Sequence, residues 1–180
     1  MQNIARPAVV IILSAILLRL FVIDSFTVQG DSMAPSILPG NYVFINKLAY
    51  RFGNEPRRGD IVVLATPSTQ QKHIIKRIIA LPKERIIIEN GVIRIKNSRE
   101  DDGRIIEEQY LALSANGQDA LDTPAVGITY INLDPQEYFI LGDNRQISID
   151  SRVLGPINKW EIKGRVFVAL NLTRFKIMMF

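Results

Sequence analysis

Residues 85–96 read Arg85-Ile86-Ile87-Ile88-Glu89-Asn90-Gly91-Val92-Ile93-Arg94-Ile95-Lys96. Two isoleucine-rich runs flank Asn90-Gly91, a dipeptide that tolerates positive φ at both central positions of a two-residue turn. The stretch predicts a β-hairpin. The same rhythm continues in both directions. Residues 41–46 (NYVFIN), 60–65 (DIVVLA), 73–80 (HIIKRIIA), 138–141 (YFIL) and 164–170 (GRVFVAL) are rich in Val, Ile and Phe, which suit a pleated, half-buried surface. Pro39-Gly40, Arg58-Gly59, Leu81-Pro82 and Gly142-Asp143 supply turn signals between them. Short helical pieces fit only near residues 36–38 or 46–52. Residues 97–134 are polar and charged, break the strand rhythm, and are expected to form a loop-rich excursion. The expected fold class is mainly β, built on an antiparallel sheet.

Residues 7–26 (PAVVIILSAILLRLFVIDSF) are of a different kind, with Arg19 and Asp24 as their only charges. A bilayer crossing takes about 20 apolar residues, and Arg19 lies toward one end, where its long side chain can snorkel. A cleaved secretory signal would need small residues in an A-x-A-like pattern after the apolar run. Here the run continues into Val22-Ile23-Asp24-Ser25-Phe26. The reading taken is one N-terminal transmembrane helix, residues 1–26, tethering a β-rich domain of residues 27–180; a buried core helix is the alternative.

Composition narrows the chemistry. The net charge of the 180 residues is +4, but the basic residues are scattered, so nucleic acid is not an expected partner. With no cysteine, disulfides, thiolate zinc sites and cysteine nucleophiles are excluded. With a single histidine, His73, a histidine-rich metal site is excluded too. No metal or cofactor is expected. A serine paired with a desolvated lysine needs none of these groups.

Three segments combine uncommon residue types, and each admits two readings. Gly30-Asp31-Ser32-Met33-Ala34-Pro35-Ser36 is either a polar turn with an N-cap serine or a turn presenting Ser32 outward with its N–H free for an oxyanion. In residues 73–79, alternation puts Lys76 in a row with Ile74, Ile78 and Ala80, opposite His73, Ile75, Arg77 and Ile79. Lys76 is then either a snorkelling edge-strand lysine or a buried base with a lowered pKa. The second reading is demanding, because an ordinary lysine is neutral only about 0.04% of the time at pH 7. A depression of roughly three units, at a cost of about 4 kcal/mol, makes it a competent base. Residues 142–152 (GDNRQISIDSR) are either a solvated loop or a functional loop on a rigid sheet.

In order along the chain, these segments resemble the bacterial type I signal peptidases, the leader peptidase family of Ser-Lys dyad serine proteases. The apolar N-terminus is followed by GDSMAPSI, RRGDIVVL, HIIKRIIALPKERI, the hairpin IIIENGVIRI, EEQYL, EYFILGDNRQISIDSRVLGPI and GRVFVAL. The resemblance implies a membrane-bound serine endopeptidase that removes signal peptides from exported precursors through an acyl-enzyme. It implies Ser32 as nucleophile and Lys76 as general base. Met33 and Pro35 would shape the serine turn, and Ser148 would hydrogen-bond and orient the base. Asp150 and Arg152 would form a supporting ion pair with Arg77 nearby, in the loop of Gly142, Asp143, Asn144 and Arg145. The family's substrates carry small residues at the first and third positions before the cut. Shallow apolar pockets are therefore expected, lined by position with Val28, Met33, Ile37 and Ile75.

The partners implied are signal-peptide-bearing precursors and membrane lipid, with residues 175–180 (FKIMMF) as a further lipid contact. The implied location is the plasma membrane, single-pass, with the catalytic domain on the outer side. The family often shows Gly-x-Pro-Gly-Asp where this chain has Ala80-Leu81-Pro82-Lys83-Glu84. Some members carry a serine at Gly30 that adds an oxyanion hydroxyl. Ile147 and Ser36 are smaller departures. Eukaryote-like members use a histidine base, but Lys76-Arg77 matches the bacterial lysine box, so His73 is expected to be a bystander. A self-cleaving repressor would carry a DNA-binding segment instead of an apolar N-terminus. A tethered β-domain that binds peptides without cutting them is the non-enzyme alternative.

Overall fold

The computed structural model describes residues 5–65, 73–98, 101–108, 110–111 and 129–180. Helix α1 (Ala5–Phe21) leads into β1 (Ile23–Thr27), β2 (Tyr42–Asn46), β3 (Ile61–Leu64) and β4 (Ile74–Ala80). Then come β5 (Arg85–Glu89), β6 (Val92–Lys96), β7 (Arg104–Ile105), β8 (Thr129–Asn132) and β9 (Glu137–Leu141). The one-turn helix α2 (Ser151–Leu154) precedes β10 (Ile157–Asn158), β11 (Ile162–Asn171) and β12 (Lys176–Met179).

The strands pair in two antiparallel sheets. The larger runs β1-β2-β11-β3-β4-β9-β10, with β12 added on β11; the smaller runs β7-β6-β5-β8. The hairpin read from Asn90-Gly91 forms, with φ of +50° and +79° at the two turn residues, the sign pattern of a type I′ turn. Its register pairs Ile86 with Ile95 and Ile88 with Ile93. That row packs on Ile79, Phe139 and Leu141 of the large sheet, so the two sheets share one core. The large sheet is apolar on both faces around β3 and β4. Ile61, Val63 and Ile75 meet Met33 and Ile37 on one side, while Val62, Leu64, Ile74 and Ile78 meet Tyr138 and Ile140 on the other. A strand covered on both faces loses the in/out alternation of polarity, which explains the near-continuous apolar runs of residues 60–65 and 73–80.

Three expectations need correction. The apolar run to Phe26 is not helical throughout. α1 stops at Phe21, and Ile23 to Thr27 pair with Asn46 to Tyr42. Ser25 Oγ lies 3.0 Å from the Tyr42 hydroxyl across that ladder, and edge pairing satisfies a backbone that the helix would otherwise have carried on. Among the described residues no helix is long and apolar enough to cross a membrane. The 17 residues of α1 span about 25 Å, against about 30 Å of hydrocarbon. Second, residues 97–134 are not wholly off the sheet, since β7 and β8 flank the hairpin on either side; runs of two and four residues are too short to show a period. Third, residues 36–38 and 46–52 form no helix; Asn46 ends β2, and the rest lie in turns, bends and irregular chain. The one-turn helix α2 lies instead after Asp150, which caps it.

Candidate active site

Ser32 lies in a series of turns over residues 31–37. The Ala34 N–H donates to the Asp31 carbonyl at 3.0 Å, and the Ile37 N–H to the Met33 carbonyl at 2.8 Å. Met33 and Ile37 are thereby turned into the core beside Val28 and Ile75, and Ser32 stays half-buried at its surface. Among the described residues the Ser32 N–H makes no hydrogen bond. The turn is thus anchored by apolar side chains and leaves one backbone donor open beside a hydroxyl.

β4 delivers Lys76 to that hydroxyl. Lys76 is 3% exposed and lies across from Val62 of β3. Its Nζ donates to Ser32 Oγ at 2.9 Å and to the Ile75 carbonyl at 3.0 Å. It has no carboxylate in ion-pair range among the described residues. Burial drives its pKa down to about 8, against the more distant pull of Asp150 and Asp143 and with a small push from Arg152. At pH 7 roughly one such lysine in ten is neutral, some two hundred times the ordinary fraction. The snorkelling reading of Lys76 fails, because the side chain is almost wholly buried and its Nζ is held by Ser32 Oγ and the Ile75 carbonyl instead of reaching out to solvent.

The loop after β9 is folded on Asp150. Asp150 Oδ2 accepts from the Gly142 N–H at 3.0 Å, and its two oxygens take Arg152 Nε at 2.8 Å and Nη2 at 2.9 Å. The Asn144 N–H donates to the Ser32 carbonyl at 3.0 Å, which ties the loop to the serine turn. Gly142 is required by space. A Cβ there would lie 2.2 Å from Ser148 Oγ and 2.4 Å from the Ser32 carbonyl oxygen, closer than any packed pair of atoms allows. Ser148 is buried at this contact, and its Oγ has no hydrogen-bond partner among the described residues. The expected hydrogen bond from Ser148 to Lys76 is therefore not formed; the contacts of Nζ go to Ser32 and Ile75.

Arg77, one residue along β4, is buried in the opposite manner. Its Nε and Nη2 donate to the two oxygens of Asp143 at 2.8 and 2.6 Å, and its Nη1 donates to the Gly59 carbonyl at 2.9 Å. Burial works against the cation, and the bonds and charge of Asp143 outweigh it, so its pKa is raised. Arg77 was expected near Asp150 and Arg152; its partner is Asp143, because strand alternation turns it away from Lys76. The guanidinium also lies 3.8 Å from the ring centre of Tyr110. The Tyr110 hydroxyl donates to Glu108, and Glu108 takes Arg145 Nη1 at 2.8 Å and Nη2 at 2.5 Å. Arg145 Nε closes the chain on the Gly142 carbonyl at 3.0 Å. Glu108 and Tyr110 had no role assigned from sequence. The signal was there in EEQYL, two acids and a tyrosine against a leucine, within a stretch read as excursion.

A groove of about 390 Å³ runs past Ser32 and Lys76, with walls that include Phe26, Val28, Met33, His73 and Ile75. Val28, Met33 and Ile75 sit where a substrate pocket was expected. Ile37 is not among the groove's walls; it packs with Met33 in the core. His73 stacks on Phe26 at 5.7 Å between ring centres and makes no hydrogen bond to Ser32 or Lys76. β9 pairs with β4 only from Arg77 onward, so residues 74–76 present an open strand edge to the groove. Among the described residues no three His, Asp or Glu side chains come together as metal ligands, and Asp143 and Asp150 are each held by an arginine.

A family model described as signal peptidase, peptidase S26, matches residues 1–170. The chain is 34% identical over 163 residues to signal peptidase I S of Bacillus subtilis (strain 168), covering 89% of this chain and 83% of that protein. It is 31% identical over 170 residues to a probable signal peptidase I-1 of Synechocystis, covering 91% of this chain and 78% of that one. A crystal structure of a signal peptidase I from Enterococcus faecalis V583 is similar in fold. The TM-score is 0.50 at 27% identity, over 62% of this chain and 97% of that chain.

Proposed function

The chain belongs to the signal peptidase family S26, serine endopeptidases that remove signal peptides, and from that premise we propose that Ser32 and Lys76 are its catalytic dyad. One observation carries the reading: Lys76 Nζ lies 2.9 Å from Ser32 Oγ, in a setting that lowers the lysine pKa to about 8. Neutral Lys76 takes the Ser32 hydroxyl proton as Oγ attacks the scissile carbonyl carbon. The oxyanion faces the open Ser32 N–H. Lys76 then gives the proton to the departing amine, and the signal peptide is left as an ester on Ser32. Water attacks that ester, its proton passing again to Lys76, and Ser32 is regenerated. Ser148 keeps a supporting place as a buried hydroxyl at the Gly142 contact, available to the ammonium when it forms. The Asp143–Arg77 and Asp150–Arg152 pairs hold the loop that grips the Ser32 carbonyl, and Asn144 supplies that grip.

The precursor enters as an extended strand along the open edge at residues 74–76, with small side chains lodged against Val28, Met33 and Ile75. α1 is apolar and exposed along its length from Arg6 to Phe21, and we read it as part of a membrane anchor. This surface has no protein to cover it, and burying apolar area is worth about 25 cal/mol per Å². Ile177 and Met179, exposed on β11's partner strand β12, and Phe175 in the turn before it, add apolar area for the bilayer surface. The catalytic domain is then on the outer side of the plasma membrane, where exported precursors emerge.

The test is cleavage of a precursor bearing an A-x-A site. Ser32→Ala and Lys76→Ala should each lower the rate by at least roughly 10³-fold, while His73→Ala should stay near wild type. Loss of activity in His73→Ala with retention in Lys76→Ala would sink the dyad.

A further inference from the structure

A second concavity, of about 180 Å³, lies away from Ser32, and its walls include Lys47, Tyr50, Arg51, Lys159, Trp160 and Lys163. Four of these six are cations. The carboxylates facing them are few. Glu55 pairs with Lys159 at 2.6 Å, and Asp24 lies 3.5 Å from Lys47. Arg51 has no side-chain partner among the described residues. Lys163 Nζ is within 3.3 Å of the Trp160 carbonyl and of no carboxylate. The pocket therefore keeps an excess of about two positive charges on side chains that are exposed.

Its position is set by Lys47. Lys47 Nζ donates to the carbonyls of Leu20 at 2.9 Å and Arg19 at 3.3 Å, the last turn of α1. The pocket thus begins where the apolar helix ends. Two aromatic side chains stand free beside it: Trp160, 67% exposed, and Phe52, next to Arg51 in sequence and 89% exposed. Tryptophan beside lysine and arginine is the combination that settles at a bilayer's headgroup level, where the surface potential of anionic lipid attracts cations.

We propose that this pocket binds the phosphate headgroup of an anionic membrane lipid. Arg51 and Lys163 are its open donors, Lys47 joins the site to the end of α1, and Trp160 rests among the headgroups. The proposal rests on reading α1 as a membrane anchor. Its consequence is orientational. A fixed helix end and a headgroup site define two points on the bilayer surface, so the domain is held against it instead of swinging at the junction of α1 and β1.

Trp160 is the only tryptophan of the chain, so its fluorescence reports this pocket alone. The full chain is reconstituted in zwitterionic vesicles containing a small fraction of spin-labelled phosphatidylglycerol or, separately, spin-labelled phosphatidylcholine. At low ionic strength the anionic label should quench Trp160 preferentially, by roughly five-fold in relative association for each open cation. Arg51→Gln with Lys163→Gln should abolish the preference, and Arg51→Lys with Lys163→Arg should keep it. Raising the salt should weaken it. Flotation with zwitterionic vesicles is scored in parallel. If the chain floats but Trp160 is quenched equally by both labels, the headgroup site is wrong and the anchor stands. If the chain does not float, both readings fall. Displacement of the anionic label by an acidic peptide at equal charge concentration, with none by soluble phosphatidylglycerol, would make the pocket a peptide site and overturn the proposal.

Discussion

In the small sheet, β7-β6-β5-β8, charge stays outside: Ile86, Ile88, Ile93 and Ile95 face the core, and Arg94 and Lys96 do not. In the large sheet, β4 carries Lys76 and Arg77 inward, and the loop after β9 buries Asp143, Arg145 and Asp150 with them. The first sheet is held by apolar area, which is non-directional and forgiving. The second is held in part by buried ions, each of which depends on one partner at one distance. The proposed proteolytic dyad sits in the second, because a lysine becomes a base only where its charge is unwelcome.

The strongest break of this contrast is Asp143→Ala. It leaves the Arg77 guanidinium buried without its carboxylate, and the loss should be about 3–5 kcal/mol, read from the urea midpoint. A second replacement, Arg77→Met, should recover part of it. In the small sheet, Ile88→Ala should cost about 2–4 kcal/mol through a cavity, while activity per folded molecule stays near wild type. A large fall in activity there would show that the core shared by the two sheets also positions the site.

Lys76→Met should run the other way, losing cleavage while gaining on the order of 1–3 kcal/mol at pH 7. The gain has a stated pH window. The folded lysine pKa of about 8 lies below the ordinary 10.5, so between those values the unfolded chain binds more protons. Wild-type stability then rises with pH across that window, and the advantage of Lys76→Met should shrink from pH 8 to 10.5 in thermal melts. The smallest effect belongs to the turn between the sheets. Lys83 has φ +68° after Pro82, and the Glu84 N–H donates to the Leu81 carbonyl at 3.2 Å. This is a type II turn with lysine where glycine is favoured. Glu84 compensates by accepting from the Leu81 N–H at 2.7 Å and pairing with Arg58 at 2.5 Å. Lys83→Gly should raise stability by about 0.5–1 kcal/mol and leave cleavage unchanged.

Much of this could be read along the chain. The seven runs rich in Val, Ile and Phe mark seven strands, because β-branched spacing and Gly, Pro and Asn punctuation are local properties. Asn90-Gly91 specified a hairpin down to its register, since a two-residue turn leaves no slack. β1 stayed hidden because it follows the helix after Val22 alone, with no Gly, Pro or Asn to mark the boundary. Only its ladder with β2 distinguishes the two.

The sequence by itself determined the candidates: Ser32 behind a glycine turn, Lys76 between isoleucines, and a loop dense in Asp, Arg and Ser. Burial, partner and distance were decided by the tertiary structure. Lys76 and Arg77 are adjacent cations in one strand, and nothing in their local sequence assigns one to a hydroxyl and the other to a carboxylate. That assignment comes from segments distant in sequence: the Ser32 hydroxyl stands 2.9 Å from Lys76 Nζ, and Asp143, in the loop bonded to the same serine turn, takes Arg77. It also comes from Gly142, whose missing side chain lets Ser148 and the Ser32 carbonyl meet. Charge and pKa are properties of surroundings, and at this site those surroundings are assembled from segments up to 118 positions apart, as between Ser32 and Asp150.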